Sequence, residues 1–298
     1  MSHPRVLLVG AGGQVGRELQ AIAPAFPVML IPATREQCDV RDAKQLGELV
    51  AWARPDLIIN TAGFTQVDPA EQFPAEAMAV NRDGVRWLAD AGAALGIPVF
   101  HLSTDYVFDG SAGRPYREDD PPAPLGVYGQ SKWLGEIALR ETLAEHLCLR
   151  VSWVFGRFAR NFVHAVLAMA KTQTTLRIVA DQVSAPTPAK ALAQTLLSLA
   201  RRYSDEGALP WGTYHYCGMP HASRFEFAEA ILARASELGL LTRRPELLPV
   251  TSQEFAAPAP RPLDSRLDAD AFVKAFGWAL PDWRDALDDV LMPPDEGV

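Results

Sequence analysis

The sequence predicts an α/β fold: a doubly wound parallel sheet covered by helices, followed by a smaller C-terminal α/β region. Three observations predict it. Short β-branched or aliphatic runs alternate with longer segments of helical periodicity, the pattern left in a chain by parallel strands and crossover helices. The first run ends in a glycine-rich turn that opens directly into a helix, as in a Rossmann-like half. With 298 residues, 48% hydrophobic and 21% charged, the chain can bury a full core, which disfavours disordered, collagen-like and disulfide-scaffold classes.

In chain order, strands are expected at Arg5 to Val9, Val28 to Ile31, Leu57 to Asn60, Val99 to Leu102 and Leu147 to Val151. Helices are expected at Val15 to Ile22, Ala43 to Ala53, Ala75 to Leu95 and Tyr128 to Leu143. Asp42 suits the N-cap of the second helix, because its carboxylate can accept from the free N–H groups of the first turn. Gly96 and Pro98 stop the third. Beyond Trp153 the pattern loosens, with helices near Phe162 to Lys171, Ala189 to Tyr203, Arg224 to Gly239 and Ala269 to Phe276 between Pro-rich stretches. The expected organisation is a dinucleotide-binding unit over residues 1–155 and a mainly substrate-binding region over 156–298, partly interleaved with the first sheet. Ala256 to Pro262 reads as an exposed extended loop and Pro293 to Val298 as a frayed tail.

The formal net charge of −8 argues against nucleic acid as the main partner, since phosphate backbones select clustered Lys and Arg. Cys38, Cys148 and Cys217 are an odd count without a close pair, suiting core thiols in a reducing compartment. Met1 to Arg5 runs straight into the first strand, leaving no room for a signal peptide, and no apolar stretch is long enough to span a bilayer; the expected location is the cytoplasm, away from membranes. The six His show no metal-binding spacing, so no catalytic metal is expected, and His101 reads as structural support.

The turn Gly10-Ala11-Gly12-Gly13-Gln14-Val15-Gly16 carries the first chemistry. Glycines at 10, 13 and 16 allow a tight turn, close approach of a pyrophosphate and close helix packing, while the helix N-terminus offers N–H donors and partial positive charge. An acidic group that would select NAD at the end of the second strand is missing from Pro32-Ala33-Thr34-Arg35. Arg35 can instead pair with a 2′-phosphate, favouring NADPH with NADH left open; an ordinary surface charge is the competing reading. Asp39 and Val40 are placed to meet adenine, and Ala62, Gly63 and Thr65 are small enough to let the cofactor pass.

Tyr128 and Lys132 stand at i and i+4 of one helix face. Reducing a ketone requires a proton for the developing alkoxide, and a Tyr with an ordinary pKa of about 10 is a slow donor or base unless a cation stabilises its phenolate. Lys132 is expected to be that cation and to hold the nicotinamide ribose. Thr104, in Ser103-Thr104-Asp105 after a strand, can donate to the substrate oxygen.

These residues resemble the dTDP-4-dehydrorhamnose reductases, extended short-chain dehydrogenase/reductases whose glycine turn has this GxxGxxG spacing. The resemblance covers nearly the whole chain. It is carried by Gly13-Gln14-Val15-Gly16, Arg54-Pro55-Asp56, Asn60-Thr61-Ala62, Ala70-Glu71, the run from Ser103 to Gly110, Tyr128-Gly129-Gln130-Ser131-Lys132, Arg150-Val151-Ser152-Trp153-Val154, Asp181-Gln182 with Pro186-Thr187, and Arg261-Pro262 with Ser265-Arg266-Leu267. It implies NADPH- or NADH-dependent reduction of the C4 ketone of dTDP-4-dehydro-β-L-rhamnose. It also implies Tyr128 as proton donor, Lys132 as its modulator, Thr104 as second hydroxyl, Asp105 and Trp153 as substrate contacts, and Asn161 and Phe162 at the sugar pocket.

The chain departs from the family pattern at Gly126, where Asn is usual, and at Ser184, where Gly is usual. Lys190 occupies a position where some members carry a carboxylate that helps hold Mg²⁺ at a dimer interface. A cation there repels a cation, so the metal-bridged dimer is expected to be absent or altered, leaving a monomer or weak homodimer. Tyr106 after Thr104-Asp105 lacks the carboxylate of nucleotide-sugar dehydratases. A rival reading is a non-catalytic dinucleotide-binding subunit similar to the β subunit of methionine adenosyltransferase; another is a reductase of a different nucleotide-linked keto-sugar.

Overall fold

The computed structural model describes residues 3–292. Its first part runs β1 (Arg5–Val9), α1 (Gln14–Ile22), β2 (Met29–Ala33), α2 (Ala43–Ala53), β3 (Leu57–Asn60), α3 (Val67–Gln72), α4 (Pro74–Met78), α5 (Gly84–Leu95), β4 (Val99–Thr104), α6 (Val127–Thr142) and β5 (His146–Val151). It continues with β6 (Val154–Phe155), α7 (Phe162–Ala170), β7 (Thr175–Val179), β8 (Val183–Ser184), β9 (Thr187–Pro188), α8 (Ala189–Glu206), β10 (Gly212–His215), β11 (Ala222–Ser223), α9 (Arg224–Glu237), β12 (Glu246–Val250), α10 (Ser252–Phe255), α11 (Asp270–Phe276) and α12 (Leu287–Leu291).

The main sheet has the order β2-β1-β3-β4-β5-β10, and every pairing in it is parallel. β1 registers Val6 against Leu30 on one side and Leu57 on the other, so the chain leaves β1 first toward one edge and then toward the opposite one. At that switch point, outside the carboxyl ends of the strands, lies the usual ligand position of such sheets. Both faces are covered, which is why the strands are continuously apolar rather than alternating. Val6, Leu8 and Leu57 face Leu19 of α1, Leu192 and Leu196 of α8, and Phe272 of α11. Leu7, Val9 and Ile58 face Leu46 and Val50 of α2, Leu88 of α5 and Leu139 of α6. A separate core over Phe155, Val163, Ile178, Phe227 and Trp283 holds the parallel pair β7 and β12 against α7, α9 and α12.

All five expected strands form, and Asp42 caps α2 by accepting from the Lys44 and Gln45 amides. Several expectations are corrected. The second strand lies at Met29–Ala33, and β4 reaches Thr104. The helix expected over Ala75 to Leu95 is interrupted by a π turn at Ala79–Asp83. The sixth strand, β10, comes from beyond residue 155 and was not read from the sequence. The 256–262 segment is not simply exposed: Ala259 is buried, its N–H donates to Asp68, and Arg261 pairs with Asp68 at 2.9 Å. The expected tail at Pro293 to Val298 lies outside the described residues. Among the described residues no helix is long and apolar enough to cross a membrane.

Candidate active site

The glycine turn lies at the switch point, directly after β1. Gly10 takes a left-handed φ of 85°, and its amide and that of Ala11 donate to Ala33 O at the end of β2. A Cβ on Gly10 would overlap the Ala62 amide, and one on Gly16 would overlap Gly10 O, so the loops after β1 and β3 touch backbone to backbone. Asn60 and Thr61 fasten this contact: Asn60 Oδ1 accepts the Ala62 N–H (3.0 Å), and Thr61 Oγ1 donates to Val9 O (3.0 Å). Gly12 faces open space, and α1 has Gly13 as its N-cap residue, with no side-chain cap. This bare surface at a helix N-terminus suits a pyrophosphate.

The remaining expected cofactor residues fall into two groups. Gly63 and Thr65 are exposed and Ala62 partly so, after β3. Arg35 is exposed in the turn after β2, while Asp39 accepts from the Arg41 amide and guanidinium, which hold its carboxyl at about 2. Val40 packs against Gly84. Val15 is in the core, and Gln14 is a brace, donating to Val154 O (3.0 Å) and accepting from Asn161 Nδ2 (2.9 Å). Asn161 also donates to Gly156 O and caps α7 through Oδ1, so its amide is engaged in structure although it borders the cavity described below.

The start of α6 presents Tyr128. Glu71 Oε1 accepts the Val127 N–H at 2.7 Å, and a Cβ on Gly126 would press on that carboxylate, which gives the departure at 126 a local reason. Ser131 Oγ donates to Tyr128 O (2.8 Å) and accepts from Asn81 of the π turn (2.9 Å). A Cβ on Gly129 would overlap Tyr106 O, so Gly129 lets the helix close on the turn that carries Thr104 to Tyr106. The Tyr106 and Tyr128 rings meet edge to face at 5.8 Å. Thr104 Oγ1 donates to Asp105 Oδ1 (3.1 Å) and accepts the Tyr106 N–H (3.2 Å).

Asp105 is buried, with Oδ2 accepting from Ser184 (3.1 Å) and Ser265 (2.6 Å). Burial raises its carboxyl to about 6 against the pull of these hydroxyls. Ser184, the second departure from the family pattern, is thus a donor to Asp105. Trp153 adopts a φ of 42°, and the Arg224 guanidinium lies 3.7 Å over its ring.

One expectation about Lys132 is corrected. It shares a helix face with Tyr128, but its buried Nζ turns inward, donating to Leu102 O (2.5 Å) and lying 3.3 Å from His101 Nε2. Burial raises the Tyr128 phenol above its ordinary range, with the Thr104 hydroxyl acting against it, and brings Lys132 down to about 8. The tyrosine is therefore not made more acidic by this lysine in the geometry observed.

Sequence reasoning missed a buried cluster behind the site: Glu136, one turn after Lys132, pairs with Arg150 (2.8 Å) and accepts from Ser103. Also missed were Arg224 and a cavity of about 700 Å³ whose lining includes Arg160, Arg177, Arg224 and Arg261 together with Phe162, Met169, Phe255 and Pro260. Pro260 borders both this cavity and the cleft beside Tyr106 and Tyr128. Lys190 Nζ donates to Asp289 (2.9 Å), and among the described residues no three His, Cys, Asp or Glu side chains are grouped to hold a metal ion.

Residues 4–294 match the family model for the RmlD substrate binding domain. A dTDP-4-dehydrorhamnose reductase of Sinorhizobium fredii is 39% identical over 283 residues, covering 95% of each chain. One from Burkholderia thailandensis is 39% identical over 288 residues, covering 95% of this chain and 96% of its own. A crystal structure of dTDP-4-dehydrorhamnose reductase from Bacillus anthracis in complex with NADP superposes with a TM-score of 0.88 at 31% identity, covering 97% of this chain and 98% of that one.

Proposed function

Because the chain belongs to the dTDP-4-dehydrorhamnose reductase family, we propose that it reduces the C4 ketone of dTDP-4-dehydro-β-L-rhamnose to dTDP-β-L-rhamnose with NADPH, NADH being the alternative donor. The product serves dTDP-rhamnose and cell-surface polysaccharide synthesis. The observation that carries this reading is the meeting of Thr104 and Tyr128 at the carboxyl end of β4, with the bare glycine turn at the carboxyl end of β1.

The glycine turn suits a dinucleotide: Gly12 and Gly13 leave room for a pyrophosphate, and Arg35, exposed after β2, would meet a 2′-phosphate. A reduced nicotinamide bound there supplies the hydride. Tyr128 gives its phenolic proton to the C4 oxygen, and its raised pKa keeps that proton in place at neutral pH, the state that reduction needs. Thr104 donates to the same oxygen and helps polarise the carbonyl. Lys132, which donates to Leu102 O here, would turn forward to hold the nicotinamide ribose and Tyr128. Asp105 and Trp153 orient the sugar, and the arginine-lined cavity takes the thymidine diphosphate, whose charge suits Arg160, Arg177, Arg224 and Arg261. Asn161 shapes that cavity through the α7 cap.

In this reading residues 1–155 hold the dinucleotide and 156–298 mainly the substrate. The enzyme works in the cytoplasm as a monomer or weak homodimer, consistent with three buried free thiols and with Lys190 engaged by Asp289.

The test is nicotinamide oxidation dependent on enzymatically generated dTDP-4-dehydrorhamnose, with NADPH and NADH compared. Tyr128→Phe should lower turnover roughly 10² to 10⁴-fold with dinucleotide affinity retained. Dinucleotide binding without substrate-dependent oxidation would overturn the reading in favour of a regulatory subunit.

A further inference from the structure

Asn60 and His101 lie buried behind Lys132, and no step above uses the imidazole. Their hydrogen bonds have a direction fixed by the backbone. The Ala62 N–H can only donate, and it does so to Asn60 Oδ1 (3.0 Å). Asn60 therefore turns its Nδ2 donors toward His101 Nδ1 (3.1 Å), which accepts with its lone pair. A neutral imidazole that accepts at one nitrogen carries its proton on the other, so Nε2–H faces Lys132 Nζ at 3.3 Å. An ammonium has three donors and no lone pair, whereas an amine can accept from Nε2–H and still donate to Leu102 O (2.5 Å).

We infer that His101 is a positioning residue: its tautomer, dictated by Asn60, sets a donor against Lys132 that biases the parked lysine toward the neutral amine, and the lysine gains proton occupancy when it moves forward to the dinucleotide and Tyr128.

The groups around the lysine agree with a balance that the histidine can tip. Burial pulls the lysine down, against Glu136 one turn on, itself paired with Arg150; Cys148 on β5 is held as a neutral thiol by burial and adds no charge. Tyr128, one turn back, is held protonated. His101 is kept neutral by burial above all, and any charge on Lys132 or nearby His146 pushes the same way. Lys132 Nζ also lies near Gly63, whose lack of a side chain leaves the way forward open.

Only the consequence for catalysis rests on the proposed reductase reading; the tautomer does not. Nitrogen-15 spectra of the histidine-labelled, dinucleotide-free chain, assigned by loss of the signal in His101→Phe, should show a His101 ring that stays neutral through the neutral pH range with its proton on Nε2. A proton on Nδ1 overturns the inference. Near pH 8, where Lys132 is about half charged, NADPH binding should draw protons from a lightly buffered solution. His101→Phe, lacking the opposing donor, should show about half that uptake or less, and its alkaline limb in kcat/KM should move to higher pH. Uptake unchanged in the variant overturns the inference. Should His101→Phe not fold, His101→Gln serves for the assignment, and the wild-type tautomer remains decisive. A chain with the Nε2 tautomer and proton uptake but no ketone reduction would sink the proposed activity and leave this inference standing.

Discussion

Asp105 has hydroxyl donors on both oxygens, and its raised pKa makes it a stability cost that varies with pH. Its carboxyl sits at about 6 in the fold against 3.8 ordinarily, so between those values the folded state binds a proton that the unfolded state has lost. Stability therefore falls as pH rises through that window, and the penalty is complete above it, at most about 3 kcal/mol for a shift of roughly two units. Asp105→Asn should be the more stable protein at neutral pH, with the difference closing near pH 4 in thermal unfolding; parallel profiles would contradict this. At this scale the candidate residues could be picked out of the sequence, because Tyr128, Lys132 and Thr104 belong to short motifs with fixed spacing. Side-chain direction could not. Helical spacing placed Lys132 beside Tyr128, but the Leu102 carbonyl and His101 that turn it away come from a distant strand.

Helix α6 carries the candidate residues Tyr128 and Lys132, and its placement depends on small residues and one carboxylate. Gly129→Ala puts a methyl into Tyr106 O, and overpacking of this kind costs about 1–3 kcal/mol. Turnover should fall with it as Tyr128 and Thr104 separate, which thermal unfolding and kcat measured together would show. Glu71→Ala removes an acceptor from the first turn and should cost about 1 kcal/mol, with Glu71→Gln retaining most of it. The Glu136–Arg150 pair is held tightly between α6 and β5, so Glu136→Gln strands a buried guanidinium at about 3–5 kcal/mol. A double variant with Arg150→Met should recover much of that loss in denaturant titration. Periodicity revealed α6, but charged residues in a helical pattern read as surface, so this pair stayed hidden. The π turn at Ala79–Asp83 was also hidden, because an insertion of this kind leaves the apolar rhythm of residues 75–95 nearly intact.

The whole molecule joins two sets of elements around one cleft. The Asp68–Arg261 pair and the Asn161–Gln14 contact tie the loops of the later half to the first sheet. With Lys190 engaged by Asp289, neither Mg²⁺ nor a chelator should change the sedimentation coefficient; a dimer that falls apart in chelator would contradict this. The doubly wound sheet was legible because five strands are unbroken aliphatic runs. β10 was not, since Gly212-Thr213-Tyr214-His215 is short, only partly apolar and follows Pro210-Trp211. Yet β10 closes the outer side of β5, register Gly212 to Leu147, and α8 covers the sheet beneath it. A fragment cut after residue 155 would therefore bare an unpaired row of amides and carbonyls along β5 and should precipitate. Anyone building chimeras to alter sugar preference must leave residues 189–216 with the amino-terminal half, since the exchangeable piece is discontinuous in the gene.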